Sequence, residues 1–363
     1  MVTLAVIIVS WNTRDLLRRC IASVHASLAG SGIDYTVIVV DNASSDGTPA
    51  MLRAEHPEVL LLEPGANMGF SGGNNIALRV VLSSESGVMS YGTDDSKLKT
   101  QNSKLDYVLL LNPDTEVVGD AIPQLVRYLD AHPDVMVVGP QLRYPDGSPQ
   151  PSRRRFPSPG VFFWESTPLE TRWPGNPWAR RYRMADMPDD VEQPVGWLVG
   201  AALLVRREAI ERAGLLDEGF AMYSEELEWQ ERICGTGDKE TRRQGDKERI
   251  QSPAHPLTRS PAHSIMYLPS AVIIHHEGKS SEQAPARRYI NFHQSRMRYA
   301  RMRYGRAFAT LLRVFLLAAY SLELAIEAGK WLLGHKRSLR AERMRVYAAV
   351  LRGLVASVHV QRT

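Results

Sequence analysis

The sequence predicts an α/β protein: a mostly parallel central sheet with helices on both faces, plus a C-terminal helical segment. Three observations predict it. Short, β-branched apolar runs such as Leu4 to Ser10 read as strands buried on both sides. Over about the first third of the chain such runs alternate with helix-period segments, the pattern of a doubly covered sheet. Beyond residue 305 the character changes to basic, amphipathic helix.

The elements follow in order. Leu4 to Ser10 is the first strand, and Thr13 to Leu28 shows helical spacing through Leu16, Leu17, Cys20, Ile21 and Val24. Tyr35 to Val40 is the second strand, followed by a polar turn, Asp41 to Thr48, and a helix through Ala54. Val59 to Leu62 is the third strand, and Asn67 to Asn75 leads into an apolar helix. Tyr107 to Leu111 is the next strand, and Tyr267 to Ile274 a later one ending in His275-His276. Parallel sheets of this kind bind ligands at the carboxyl ends of their strands. Polar residues collect there: Ser10-Trp11-Asn12, Asp41-Asn42, Asn67 and Asn112-Pro113-Asp114. Loops are polar in general, but Asn or Asp delivered repeatedly to one rim points to a ligand rich in hydroxyls, base edges and phosphates.

The bulk properties bound the reading. At 363 residues, 44% apolar and 23% charged, the chain is globular and long enough for a substantial core. Only Cys20 and Cys234 are present, so no disulfide framework is expected. The N-terminus runs directly into a strand, and no segment reaches about 18 uncharged apolar residues, so a cytoplasmic location is expected. No complete Walker element, Gly-x4-Gly-Lys-Ser/Thr, occurs, since Ile273 stands where Gly278-Lys279-Ser280 would need its first glycine, which argues against a P-loop nucleotide hydrolase. Two segments read as insertions. Residues 83–104 are rich in Ser, Gly and charge. Within 235–263, Gly237-Asp238-Lys239-Glu240 recurs at Gly245, and Ser252-Pro253-Ala254-His255 recurs at Ser260, both with a spacing of eight. Repetition explains His255 and His263 better than a metal pair does.

The motifs carry a resemblance. Asp41-Asn42-Ala43-Ser44-Ser45-Asp46-Gly47, Asn67-x-Gly69-Phe70 and Leu110-Leu111-Asn112-Pro113-Asp114-Thr115 resemble signatures of family 2 glycosyltransferases. Gly196-Trp197-Leu198-Val199-Gly200-Ala201, Met222 to Glu228 and His275-His276-Glu277-Gly278-Lys279-Ser280 extend the match. Each motif is weak alone; in this order they are specific, and the pattern is most similar to bacterial rhamnosyltransferases of cell-surface polysaccharide. The resemblance covers about residues 3–305 apart from the insertions. It implies a GT-A fold, with 1–305 as the glycosyltransferase domain and 306–363 as a helical appendage.

It also implies roles. Ser10, Asn12, Asp41, Asn42, Asn67, Gly69 and Asn112 would serve the nucleotide, Asp41 by accepting from a pyrimidine N3–H or from ribose. Gly69, with Gly72 and Gly73, would let backbone approach the ligand, or simply open a helix. Departure of a nucleoside diphosphate calls for a divalent cation, Mg²⁺ or Mn²⁺, held mainly by oxygen. Asp114 matches the last acid of the family's Asp-x-Asp element, while Asn112 replaces the first acid with a neutral donor. Glu116 reads as a solvated strand-end residue. His275 is expected to complete the metal site, with His276 as the alternative and a capping histidine as the plain reading.

The general base is expected to be Glu226, in an acidic segment with Glu225 and Glu228. Glu226 takes the place of the family's Asp, one methylene longer, and clustered acids beside Phe220, Met222, Tyr223 and Trp229 could raise one pKa. The plain reading is an acidic helix N-terminus meeting the macrodipole. Glu225, Gly200 and Ala201 would line the acceptor and sugar side, with Trp197 as an aromatic wall or as core.

The C-terminal segment has no acidic residue from Gln283 to Leu322 but many arginines, and then turns strongly apolar. Basic helices with aliphatic faces fit an interfacial membrane anchor on the cytoplasmic face of the inner membrane. Packing on the enzyme or on a second copy, as a homodimer, is the alternative. Nucleic acid is not expected, since stacking platforms are missing. The expected activity is inverting transfer of a sugar, rhamnose from dTDP-rhamnose by resemblance, from a nucleotide-sugar donor to a hydroxyl of a lipid-linked or polysaccharide acceptor. A UDP-hexose donor, a nucleotidyltransferase and a non-catalytic sugar-nucleotide-binding protein are the alternatives.

Overall fold

The computed structural model describes residues 2–83, 105–220, 222–235, 264–277 and 285–356. Both expected insertions therefore fall almost wholly outside the described residues, as do Gly278 and Ser280. The chain divides into two compact units. The first comprises Met1–Arg154, Pro188–Gly219 and Glu225–Ser280, and the second Arg155–Met187, Phe220–Ser224 and Ser281–Thr363.

The first unit begins with β1 (Thr3–Ser10), α1 (Arg14–Leu28), β2 (Asp34–Asp41), α2 (Thr48–Glu55), β3 (Leu60–Leu62), α3 (Gly69–Leu82) and β4 (Tyr107–Leu111). β3, β2, β1 and β4 are neighbours in that order, all parallel, as the apolar runs predict. Period two decides what each face packs. Leu4, Val6 and Ile8 of β1 join Leu17, Ile21 and Val24 of α1 in one core. On the other face Val9 meets α3 so closely that a Cβ on Gly73 would lie 2.7 Å from Val9 Cγ1. Gly73 thus serves helix-on-strand packing, a role not among the two expected of it.

The sheet continues with strands that sequence reading did not order. After β5 (Thr115–Val117) and α4 (Ala121–Ala131) come β6 (Val135–Arg143) and the short β7 (Arg153–Arg154). The second unit then contributes α5 (Val161–Trp164), α6 (Pro168–Arg172) and α7 (Pro177–Tyr182). Back in the first unit lie β8 (Gln193–Val195), β9 (Trp197–Leu198), β10 (Ala202–Arg206), α8 (Arg207–Ala213), α9 (Glu225–Ile233) and β11 (Ser264–His275). β10 runs antiparallel between β4 and β6, and the order ends β6-β11-β5 with β8 on β11. β11 is parallel to β6 and antiparallel to β5.

The second unit closes with α10 (Pro285–Leu332), broken at Gly305 (φ 89°), and α11 (Arg337–Ala356). A boundary at 305 does not coincide with the compact units, because Tyr299, Tyr304 and Phe308 from both sides of that break pack on Phe162 of α5. One helix, Arg288–Leu332, is long and apolar enough to cross a membrane by length and composition, and 22% of its most apolar window is buried. The segment still holds no run of about 18 uncharged residues, because Arg313, Glu323, Glu327 and Lys330 interrupt it.

Candidate active site

Register builds the rim. Ser10 lies opposite Asp41, Ile8 opposite Leu111, and Leu111 opposite Ala202, so the polar ends of β1, β2 and β4 sit beside the Gly200-Ala201 turn. Asn112 N–H donates to Ala201 O at 2.9 Å, joining two motifs far apart in sequence.

The β1–β2 end is a closed local network. Asn42 Nδ2 donates to Gly69 O at 3.0 Å, and its Oδ1 accepts from Met68 N–H at 3.2 Å. Asn67 Oδ1 accepts from Gly69 N–H at 2.9 Å, and Gly69 takes φ 71°, a conformation glycine favours. Asn12, itself at φ 52°, accepts from Ser45 N–H at 2.8 Å. Ser10 is fully buried with its hydroxyl on Thr13 Oγ1 at 3.0 Å. Asp41 is buried too: Oδ2 accepts from Ser44 N–H at 3.0 Å, whereas Oδ1 has no hydrogen-bond partner among the described residues. A buried acceptor left open is costly unless a ligand fills it.

At the β4 end, Thr115 Oγ donates to Asn112 O at 2.8 Å and fixes the turn. The Cys20 thiol lies beneath it, 3.5 Å from Thr115 Oγ1, with burial pushing its pKa up to about 12. β11 pairs His275 with Thr115, which brings His275 Nε2 to 3.3 Å from Asp114 Oδ1. Both residues are buried. Gln150 sets the imidazole: its Nε2 donates to Glu277 Oε2 at 2.8 Å, so its Oε1 accepts from His275 Nδ1–H at 3.0 Å. In that tautomer the Nε2 lone pair is directed toward a carboxylate oxygen, a contact that a proton or a metal cation between the two would satisfy. Asn112 Nδ2 stands 3.5 Å from the same nitrogen. The oxygen and nitrogen donors fit a divalent cation.

His276 goes elsewhere, its Nε2 lying 2.7 Å from Glu116 Oε1. Glu116 is therefore a paired residue rather than a merely solvated one, and the neighbouring histidines take different acids.

Glu226 is reached through Tyr223 and Ser224, both with left-handed backbones (φ 71° and 65°). It opens α9 together with Glu225 and Glu228, as the macrodipole reading expects. Gln230 clamps the helix to β9: Leu198 N–H donates to its Oε1 at 2.9 Å, and its Nε2 donates to Leu198 O at 2.8 Å. A Cβ on Gly200 would stand 3.4 Å from Glu226 Cβ and 3.6 Å from Phe70 Cζ, so three expected motifs meet here. Glu226 is half-buried, and its Oε2 has no hydrogen-bond partner among the described residues. Burial raises its pKa, while nearby backbone N–H groups, including that of Gly200, work the other way. Trp197 is only 7% exposed, so it packs as core and leaves little face for a sugar. Gln150 and Gln230 escaped sequence reading, since neither sits in a motif nor carries charge.

Residues 5–84 match the family described as Glycosyl transferase family 2, ending where the first insertion begins. Over 292 residues the chain is 30% identical to N-acetylglucosaminyl-diphospho-decaprenol L-rhamnosyltransferase of Mycobacterium tuberculosis (strain CDC 1551 / Oshkosh), covering 80% of this chain and 82% of that one. It is 25% identical over 228 residues to the low-salt glycan biosynthesis hexosyltransferase Agl10 of Haloferax volcanii, covering 62% and 60% respectively. Among solved structures, the mannosyltransferase PcManGT from Pyrobaculum calidifontis, in complex with GDP-Man and Mn²⁺, aligns with 99% of this chain and 88% of its own at 15% identity and a TM-score of 0.48.

Proposed function

The chain belongs to glycosyl transferase family 2, and we propose that it moves rhamnose from dTDP-rhamnose to a hydroxyl of a lipid-linked or polysaccharide acceptor with inversion. The observation that carries the chemistry is Glu226: a carboxylate with one buried, unpartnered oxygen and a raised pKa, beside Gly200 and Phe70. A group so placed can take a proton from an acceptor hydroxyl as that oxygen attacks the anomeric carbon. Asp41 Oδ1 is the open acceptor for the nucleotide, with Ser10, Asn12, Asn42, Asn67 and Gly69 shaping the loops around it. Asp114 and His275 would hold the metal, with Asn112 beside them. Mg²⁺ or Mn²⁺ there supplies charge neutralisation for the departing diphosphate, and an imidazole in the donor set favours Mn²⁺. The donor and acceptor classes rest on the mycobacterial relative, whose name gives a rhamnosyl transfer and a decaprenol-linked sugar.

A lipid-linked acceptor fits the second unit. Leu311, Val314, Leu322, Leu332 and Leu333 of the helical hairpin region are exposed, as are Trp173 and Trp178. Exposed apolar helix with tryptophans and arginines suits the cytoplasmic face of a membrane, with a homodimer as the alternative cover.

The test is a panel of dTDP-rhamnose and UDP-hexoses with Mn²⁺ and a polyprenyl-diphosphate-sugar acceptor. Release of dTDP with transfer of rhamnose supports the reading. Turnover of a UDP-hexose alone would replace the donor; pyrophosphate release from a nucleoside triphosphate would make it a nucleotidyltransferase. Donor binding without turnover would leave a non-catalytic protein. Flotation with anionic liposomes and a mass measurement separate membrane contact from dimerisation.

A further inference from the structure

The opposite end of the same sheet carries a second histidine–carboxylate cluster, unused by the chemistry above. His25 lies in the last turn of α1, His56 caps the C-terminus of α2, and Glu58 lies in the turn before β3. Tyr35, at the start of β2, touches the cluster, whereas the rim described above lies at Asp41. Six residues of strand, about 20 Å at 3.3 Å each, separate them.

We propose that His25, His56 and Glu58 form a binding site for a borderline transition-metal cation of the Zn²⁺ class. One ligand atom from each lies within 4.8 Å of the others. His25 Nε2 stands 3.1 Å and His56 Nδ1 3.3 Å from Glu58 Oε1. A tetrahedral ion with bonds of about 2.0–2.1 Å has ligand–ligand edges of roughly 3.3–3.4 Å, which the two edges to Glu58 match, while the His25–His56 edge lies within 4.8 Å. Tyr35 OH lies 2.8 Å from His25 Nδ1, the outer-shell partner that leaves Nε2 facing the cluster. The two imidazole side chains are 30% and 14% exposed and Glu58 51%, which leaves water free to take a fourth position. Two imidazoles and one carboxylate select Zn²⁺ or Co²⁺ over Mg²⁺. A bound ion would pin the end of α1 to the α2–β3 turn.

The test uses Co²⁺ as a spectroscopic probe on the full chain, freed of metal by a chelator and carrying Asp114→Asn and His275→Gln to silence the other pair. The expected result is a tetrahedral Co²⁺ absorption band that Zn²⁺ displaces stoichiometrically, with a rise in Tm on Zn²⁺ addition. Affinity should fall at least tenfold in His25→Gln and in His56→Gln. Glu58→Gln, at an exposed position that folding tolerates, should weaken it as well, so the result does not hang on a histidine variant that fails to fold. No band in that background, or a band unchanged by Glu58→Gln and by the histidine variants, overturns the site. Because the catalytic pair is already removed, the outcome is independent of the transfer reaction.

Discussion

The two halves of the rim are built in opposite ways. At the ends of β1 and β2, Asn12, Asp41 and Asn42 bond to residues of neighbouring turns, and the network is complete but for Asp41 Oδ1. At the ends of β4 and β10 the groups come from distant segments: strand pairing brings His275 to Asp114, and one glutamine side chain holds the helix of Glu226 against β9 beside Gly200. The first half is a local scaffold with one open acceptor; the second is an assembly whose chemistry depends on long-range register. Substitutions in the assembled half should therefore act on turnover, and those in the local half on donor affinity.

The largest expected effect is Asp114→Ala, which should lower kcat by about a thousandfold or more and abolish dependence on added Mn²⁺, measured by transfer assays across a metal titration. Retained metal dependence would move the cation site elsewhere. Next, Glu226→Gln should cut kcat by roughly 10²–10⁴-fold while donor binding, read by calorimetry, stays within about twofold. The same residue sets a pH dependence. As the proposed base, Glu226 would work only when deprotonated, and burial raises its pKa, so activity should rise with pH through a limb above the ordinary glutamate value of 4.5. The folded state also holds that proton to higher pH than the unfolded chain. Its contribution to stability is thus lost as pH rises through that window, and Glu226→Gln should make thermal unfolding less pH-sensitive there.

Gln230→Ala sharpens the comparison at a smaller scale. It breaks the clamp between α9 and Leu198 and the bond to the Glu226 carbonyl while leaving the Glu226 carboxylate in place, so kcat should fall about 10–100-fold with donor KM nearly unchanged. An equal loss in donor affinity would show that the two halves are not separable. The smallest effect belongs to Asp41→Asn, expected to raise donor KM about tenfold with kcat largely kept.

This division also explains what the sequence could say. β1 to β4 were legible because their short β-branched runs alternate with helix-period segments, and the Asp41 loop because its residues are contiguous. The pairing of Asp114 with His275 was anticipated through family resemblance, and β11 register now supplies the physical cause. The antiparallel β10 between β4 and β6 was not anticipated, since apolar pattern carries no direction. Gln150 and Gln230 were invisible because a neutral amide announces nothing until its partners are in place. Glu116 looked surface-bound for a similar reason: its partner, His276, lies far along the chain.

Both cysteines are buried, Cys20 beneath the Asp114 turn and Cys234 at the end of α9, and burial raises each thiol to about 12. At neutral pH neither offers a reactive thiolate. The natural chain is thus nearly blank to maleimide dyes, and a single cysteine introduced at an exposed position can be labelled without first removing its own. A fluorophore placed on the helical unit would then report, in real time, whether that surface leaves water when acceptor-bearing vesicles arrive.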